Sequence, residues 1–208
     1  MLPGSNMIIQ CPHCDNKLKQ KTIKSGNTFN AKYWTDGKRE APMLPDSIVV
    51  SVCEKCNNYF WVEDAEIIDE TNPGEEEYSD LEYLQELTLE QYIDALKKKE
   101  IRSEEDTFYL LLQIWWKYND YFRENNEGAL SQNVKNKMPS LLNKLLRMFD
   151  ENDDNNLMMK GELLRELGRF AEAGKTLNKI TTPEYSQAKQ FILELVKDEV
   201  SELRELKL

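Results

Sequence analysis

The residues of this chain best suited to chemistry are four cysteines in two pairs, Cys11-Pro12-His13-Cys14 and Cys53-Glu54-Lys55-Cys56. A Cys-x-x-Cys turn delivers two thiolates from one tight loop. Two such turns supply the four soft ligands that close a tetrahedral metal shell. No cysteine is left over. Each pair is followed by residues that tolerate left-handed backbone, Asp15-Asn16 and Asn57-Asn58. The expected ligands are therefore Cys11, Cys14, Cys53 and Cys56, holding one Zn²⁺ per chain. A shell of four thiolates has no open position for substrate, so the expected zinc is structural. Iron in a rubredoxin-like site suits the same tetrahedral geometry and is the competing metal.

Two other uses of cysteine fit less well. Disulfides belong to secreted chains, and Met1 to Asn6 lacks the basic region and long apolar core of a secretory signal. A thioredoxin-like redox pair needs one Cys-x-x-Cys in a βαβ context. The only histidine, His13, sits inside the first knuckle, where side chains point outward, and is expected to be exposed and not a ligand. That leaves little for histidine-based acid–base or triad chemistry, and no carboxylate pair stands out. The expectation is no enzyme and no catalytic residues.

The elements that must position the cysteines read as short strands. Met7 to Gln10 leads into the first knuckle, and Lys17 to Lys24 leaves it. Thr28 to Trp34 predicts a strand with Phe29, Ala31 and Tyr33 on one face. Asp36-Gly37 signals a tight turn, and the prolines of Ala41-Pro42-Met43-Leu44-Pro45 predict irregular backbone. Ile48 to Val52 enters the second knuckle and Tyr59 to Val62 leaves it. The sum is a zinc ribbon over residues 1–68, a domain too small to bury much core, so metal should supply much of its folding energy. Residues 69–80, with Pro73-Gly74 and a run of three glutamates, read as an acidic linker.

From Leu81 the apolar period becomes helical, giving an all-α domain over residues 81–208. Leu87, Tyr92, Leu96 and Ile101 predict a first short helix or two. Ser103 caps a helix whose apolar stripe is Phe108, Leu111, Leu112, Trp115, Tyr118 and Phe122. Another helix runs from Ser140 to Phe149. Leu157 to Pro183 reads as helix, turn, helix. Leu157, Gly161, Leu164, Gly168, Phe170, Ala173, Leu177 and Ile180 fall at the large and small positions of a tetratricopeptide repeat. Pro183 predicts the start of a final helix to Leu208 that caps the stack. The fold class expected is α+β: a small antiparallel zinc-ribbon domain followed by an all-α tetratricopeptide-like domain.

Two motifs are decoys. Gly168 to Thr176 resembles a phosphate loop, but five residues separate Gly168 from Gly174, where the motif needs four, and no strand precedes it. Asp150, Asn152 and Asp154 resemble the start of a calcium loop, but Asn155 stands where the turn needs Gly, and Gly161 where it needs Glu.

The chain has 208 residues and a net charge of −11. Most of that charge is C-terminal: residues 1–65 carry 8 Lys/Arg against 7 Asp/Glu, and residues 66–208 carry 19 against 31. A basic stripe of Lys17, Lys19, Lys21 and Lys24 could meet nucleic acid, although the field of the whole chain repels phosphate. No apolar run reaches the length of a membrane span. The expected compartment is the reducing cytoplasm. Tyr33, Trp34 and Trp61 form either an exposed aromatic contact or the core of the small sheet.

The N-terminal part resembles uncharacterised bacterial proteins that join a two-knuckle zinc ribbon to helical repeats. The resemblance rests on CPHC, Tyr33-Trp34-Thr35-Asp36-Gly37-Lys38, Ala41-Pro42-Met43-Leu44-Pro45, CEKC and Phe60-Trp61. It implies this architecture and a bacterial source, and carries no catalytic residues. The function expected is a non-enzymatic adaptor that binds another protein through its helical domain. The alternative is binding of nucleic acid or transcription machinery through the ribbon. An enzyme acting in the helical part ranks third.

Overall fold

A computed structural model describes residues 1–72, 75, 77–98 and 103–207. The expectations placed on Pro73-Gly74, Glu76, Ile101 and Leu208 lie outside the described residues. The chain is α+β: small antiparallel sheets in the N-terminal part and, among the described residues, six α-helices after them. It divides into two compact units. The first comprises Met1–Ala31 and Glu40–Arg102, and the second Lys32–Arg39 and Ser103–Leu208.

The first unit is built on β1 (Leu2–Gln10), the central strand of a three-stranded sheet between β2 (Lys17–Ser25) and β7 (Glu66–Thr71). Ile8 pairs with Lys19 on one side and Asp69 on the other, both antiparallel. β5 (Val50–Val52) and β6 (Tyr59–Trp61) form a second antiparallel pair, with Val50 opposite Trp61. Ile9, Leu18, Phe60, Ala65 and Leu84 make one apolar cluster with Cys11 and Cys53. The two cysteines are thus part of the core they would help to hold. α1 (Leu89–Ala95) belongs to this unit and buries Leu89, Tyr92, Ile93 and Ala95. It opens with a capping box: Gln91 N–H donates to Thr88 Oγ1, and Thr88 N–H donates to Gln91 Oε1.

Three expectations are corrected here. The linker expected at 69–80 begins inside β7, because Asp69, Glu70 and Thr71 complete the edge of the sheet beside β1. The helical domain expected from residue 81 loses its first helix to the first unit, because Leu84, Leu87 and the apolar face of α1 are buried there. The strand expected over Thr28 to Trp34 shrinks to β3 (Lys32–Tyr33). Asn27 Oδ1 accepts from Phe29 N–H and Asn30 takes a positive φ of 60°, so the asparagines make a turn that leaves Phe29 73% exposed.

The second unit stacks α2 (Glu104–Arg123), α3 (Gln132–Leu146), α4 (Asp154–Glu166), α5 (Phe170–Leu177) and α6 (Ser186–Lys197), each touching the next. Ser103, Ser131 and Asp153 cap α2, α3 and α4 through their side-chain oxygens. The buried face of α2 is Leu110, Leu111, Ile114 and Trp115. Phe122, expected on that stripe, is 42% exposed. α3 starts eight residues before Ser140 and carries Pro139 inside it. In the α4–α5 pair, a Cβ on Gly161 would lie 2.6 Å from Leu177, so only glycine admits this approach. Gly168 makes the turn at φ 72°.

The last helix ends at Lys197, not Leu208, and the chain returns as an extended tail. The tail meets the hairpin of β3 and β4 (Arg39–Glu40), which turns at Gly37 with φ 81°. Thr35 N–H donates to Arg204 O at 2.9 Å and Leu206 N–H to Tyr33 O at 2.7 Å. Residues 32–39, expected within the ribbon, therefore pack in the helical unit.

Candidate metal centre

The two knuckles have one geometry. In the first, Cys11 N–H donates to Asn16 O and Asp15 N–H donates to Cys11 O. In the second, Cys53 N–H donates to Asn58 O and Asn57 N–H donates to Cys53 O. Asp15 and Asn57 turn each loop with φ of 58° and 56°. These are the positions that the sequence marks for left-handed backbone. Ordinary residues strain there, and Asp and Asn strain least after glycine.

The loops deliver their sulfurs to one place. Cys11 Sγ and Cys56 Sγ are 3.9 Å apart, and Cys14 Sγ and Cys53 Sγ are 3.6 Å apart. All four lie within 4.8 Å of one another. Ligand sulfurs at about 2.3 Å from a tetrahedral ion stand about 3.8 Å apart, so the cluster has the size a metal requires. The cysteines are free thiols. Cys11 and Cys53 are buried, and Cys14 and Cys56 are partly exposed. The site is thus rooted in the core and open at one edge.

Backbone dipoles aim at the sulfurs. Burial pushes the Cys11 thiol up to about 12, against the N–H groups of His13 and Cys14, which favour its thiolate. For Cys53 burial also disfavours charge, but the N–H groups of Cys56 and Lys55, with its cysteine neighbours, bring the net shift down. A cation among the four sulfurs would supply the charge that burial opposes, and the N–H groups are in place to share the thiolate charge.

His13 is exposed and bonds to Tyr59 O at 3.1 Å, outside the sulfur cluster. Among the described residues, no other group of three or more His, Cys, Asp or Glu side chains converges on a metal-sized space. The acidic stretch at 150–154 serves the helices instead. Asp153 caps α4, and Asp154 Oδ2 accepts from Thr181 and Thr182 N–H. Gly168 to Thr176 forms the turn and most of α5.

The basic stripe is only partly free. Lys19 is buried, donates to Ser79 O at 3.2 Å and lies 4.5 Å from the Tyr83 ring centre. Lys21 stands over the same ring at 4.6 Å and Lys17 over Tyr78 at 5.8 Å. Of the three aromatics weighed together, Trp61 is buried, Tyr33 is 41% exposed and Trp34 stacks under Arg123.

Sequence reasoning did not anticipate a buried polar network in the helical unit. Asp36 accepts from Asn119 Nδ2 and from Arg123, and its carbonyl accepts from Trp116 Nε1. Asn119 also donates to Glu166, which accepts from Trp115 Nε1 at 2.6 Å. Glu162 and Arg165 pair with both side chains fully buried, and Arg165 reaches Val200 O. The available signal was Glu162 and Arg165 among the apolar residues of α4, three apart and so on one face.

Among the described residues no helix is long and apolar enough to cross a membrane. Comparison with protein-family models, with curated proteins and with solved structures finds no match to this chain.

Proposed function

We propose that the chain is a non-enzymatic adaptor: a structural zinc ribbon joined in sequence to a tetratricopeptide-like scaffold that binds another protein. The observation that carries the reading is the closed cluster of Cys11, Cys14, Cys53 and Cys56. Four sulfurs fill a tetrahedral shell, which favours a structural over a catalytic metal. Zinc is the metal of choice because it takes tetrahedral thiolate geometry without redox chemistry. Its contribution when bound is to cross-link the two knuckles and hold a small core.

The repeat-like reading is supported by the α4–α5 pair. Gly161 against Leu177, the buried Ala173 and the left-handed Gly168 give the close antiparallel approach of such units. Stacked helices make concave surfaces that suit protein partners. Nucleic-acid binding through the ribbon ranks second, because Lys19 is buried and Lys21 shares its tyrosine ring.

The test is metal content by mass spectrometry on protein purified without chelator, together with a pull-down from native lysate. One zinc per chain and a stoichiometric protein partner are expected. Iron would replace the structural reading with electron transfer. The absence of any stoichiometric partner would sink the adaptor, and a salt-dependent gel shift would promote the nucleic-acid reading.

A further inference from the structure

Three helices of the second unit enclose a polar groove of about 460 Å³. α3 contributes Asn143 and the adjoining Arg147, α4 contributes Lys160, and the start of α5 contributes Arg169 and Glu172, with Glu151 between α3 and α4. Its charged lining is three cations against two carboxylates, in a chain whose net charge is −11. This local reversal of sign sits in a concavity.

Two of the cations are held by carboxylates that reach solvent. Arg169 pairs with Glu172 at 2.6 Å, with side chains 39% and 55% exposed. Lys160, 18% exposed, pairs with Glu151 at 2.6 Å, and Lys179 pairs with the same glutamate at 2.5 Å, the glutamate being 48% exposed. These carboxylates face solvent, where water and salt screen the pairs, so a carboxylate of a partner competes with them for the same cations. Arg147 is exposed, and its guanidinium has no acceptor among the described residues. The arrangement presents one guanidinium without a carboxylate partner among the described residues and two cations whose carboxylate partners face solvent.

We propose that this groove is the partner-binding site and that it takes an extended acidic segment of another protein. The proposal rests on the adaptor reading. Neighbouring helices pack about 8–10 Å apart, so three of them span about 16–20 Å, the length of five or six extended residues. The net negative charge of the chain does not forbid this. Charges beyond about 8 Å are screened at physiological salt, and the cations lining the groove act inside that range. Asn143 Nδ2 donates one N–H to Pro139 O at 2.7 Å, and its second N–H can donate to a backbone carbonyl of the segment.

Selection of a phage-displayed library of random dodecapeptides on the immobilised full-length, metal-loaded protein tests the proposal. The enriched peptides should carry an excess of Asp and Glu over the unselected library. By fluorescence anisotropy, a synthetic copy of one should bind at least tenfold more weakly to R147E or R169E, and more weakly in 0.5 M salt. E172Q, which frees Arg169, should bind it more tightly. Both arginines reach solvent, and an unchanged melting curve shows that a variant is folded. No enrichment, peptides without acidic excess, or binding indifferent to charge reversal would each overturn the groove. A lysate partner retained by the R147E/R169E double variant keeps the adaptor and discards the groove. Acidic peptides bound by a protein that captures no lysate partner keep the groove and discard the adaptor.

Discussion

The carboxylate of Asp36 and the guanidinium of Arg123 form an ion pair whose side chains are 0% and 2% exposed. It joins the turn of the 32–40 hairpin to the end of α2, across 87 residues of sequence. Arg123 also donates to Asp120 at 2.7 Å and Trp116 O at 3.0 Å, and stacks 5.2 Å from the Trp34 ring. The pair thus fixes a segment that sequence places between the knuckles into the helical unit.

Removing Asp36 leaves the buried guanidinium of Arg123 with the carboxylate of Asp120, 19% exposed, to balance it and removes the acceptor that Asn119 uses. Asp36→Ala should destabilise the protein by about 3–5 kcal/mol in urea unfolding, the range for a broken buried pair. Replacing both residues with apolar ones, as in D36A/R123M, should recover part of that loss. A cost for D36A near that of an exposed pair would mean that the hairpin is not anchored by this contact.

Glu166 gives the pH dependence. Burial, then the charges of Glu162 and Asp36, raise its carboxyl well above the ordinary range. An acid with a raised folded value binds its proton more tightly when folded. Folding is therefore unpenalised below the unfolded value and loses stability as pH rises above it. Glu166→Gln cannot ionise, so its melting temperature relative to wild type should rise between pH 5 and pH 8. A difference between the two that stays flat across that window would show that Glu166 is already charged when folded.

The site was legible in the sequence because its information is local. Two Cys-x-x-Cys turns, each followed by Asp or Asn in left-handed backbone, fix the knuckles within a few residues. The α4–α5 pair was legible for the same reason, through Gly161, Gly168 and Ala173. What escaped is non-local. Period-two reading at Phe29 cannot see that Asn27 captures its N–H. Nothing near Asp69 announces that it will pair with Ile8, 61 residues earlier. The tail after Lys197 carries helix-forming residues, yet its backbone is claimed by Tyr33 and Thr35. Tertiary contacts outweigh propensity in each case.

Gly161 tests the helix pair. An added Cβ would sit 2.6 Å from the Leu177 side chain, which is fully buried. Alanine gains about 1 kcal/mol in helix propensity over glycine, while overpacking costs about 1–3 kcal/mol. Gly161→Ala should therefore destabilise slightly, and Gly161→Val clearly, in the same unfolding assay. Gly168→Ala meets no neighbour, so its cost should come from φ 72° alone, about 1 kcal/mol. A stabilised G161A would mean that α4 and α5 can move apart freely.

Metal removal tests whether the cysteine cluster holds the first unit together. Cys11 and Cys53 are fully buried members of the same apolar cluster as Ile9, Leu18 and Phe60. That cluster is small, and structural zinc typically contributes about 10–16 kcal/mol of apparent binding free energy at neutral pH. Without the ion, four thiols crowd within 4.8 Å and, among the described residues, the loops are joined only by apolar packing and the contact of His13 with Tyr59 O. A strong membrane-permeant zinc chelator should therefore expose residues 1–31 and 40–72 to limited proteolysis before residues 103–207, as read by mass spectrometry of the fragments. Cys53→Ser should give the same cleavage pattern without chelator. If zinc leaves and the pattern does not change, the apolar cluster holds the sheet by itself, and the four sulfurs need another purpose than stability.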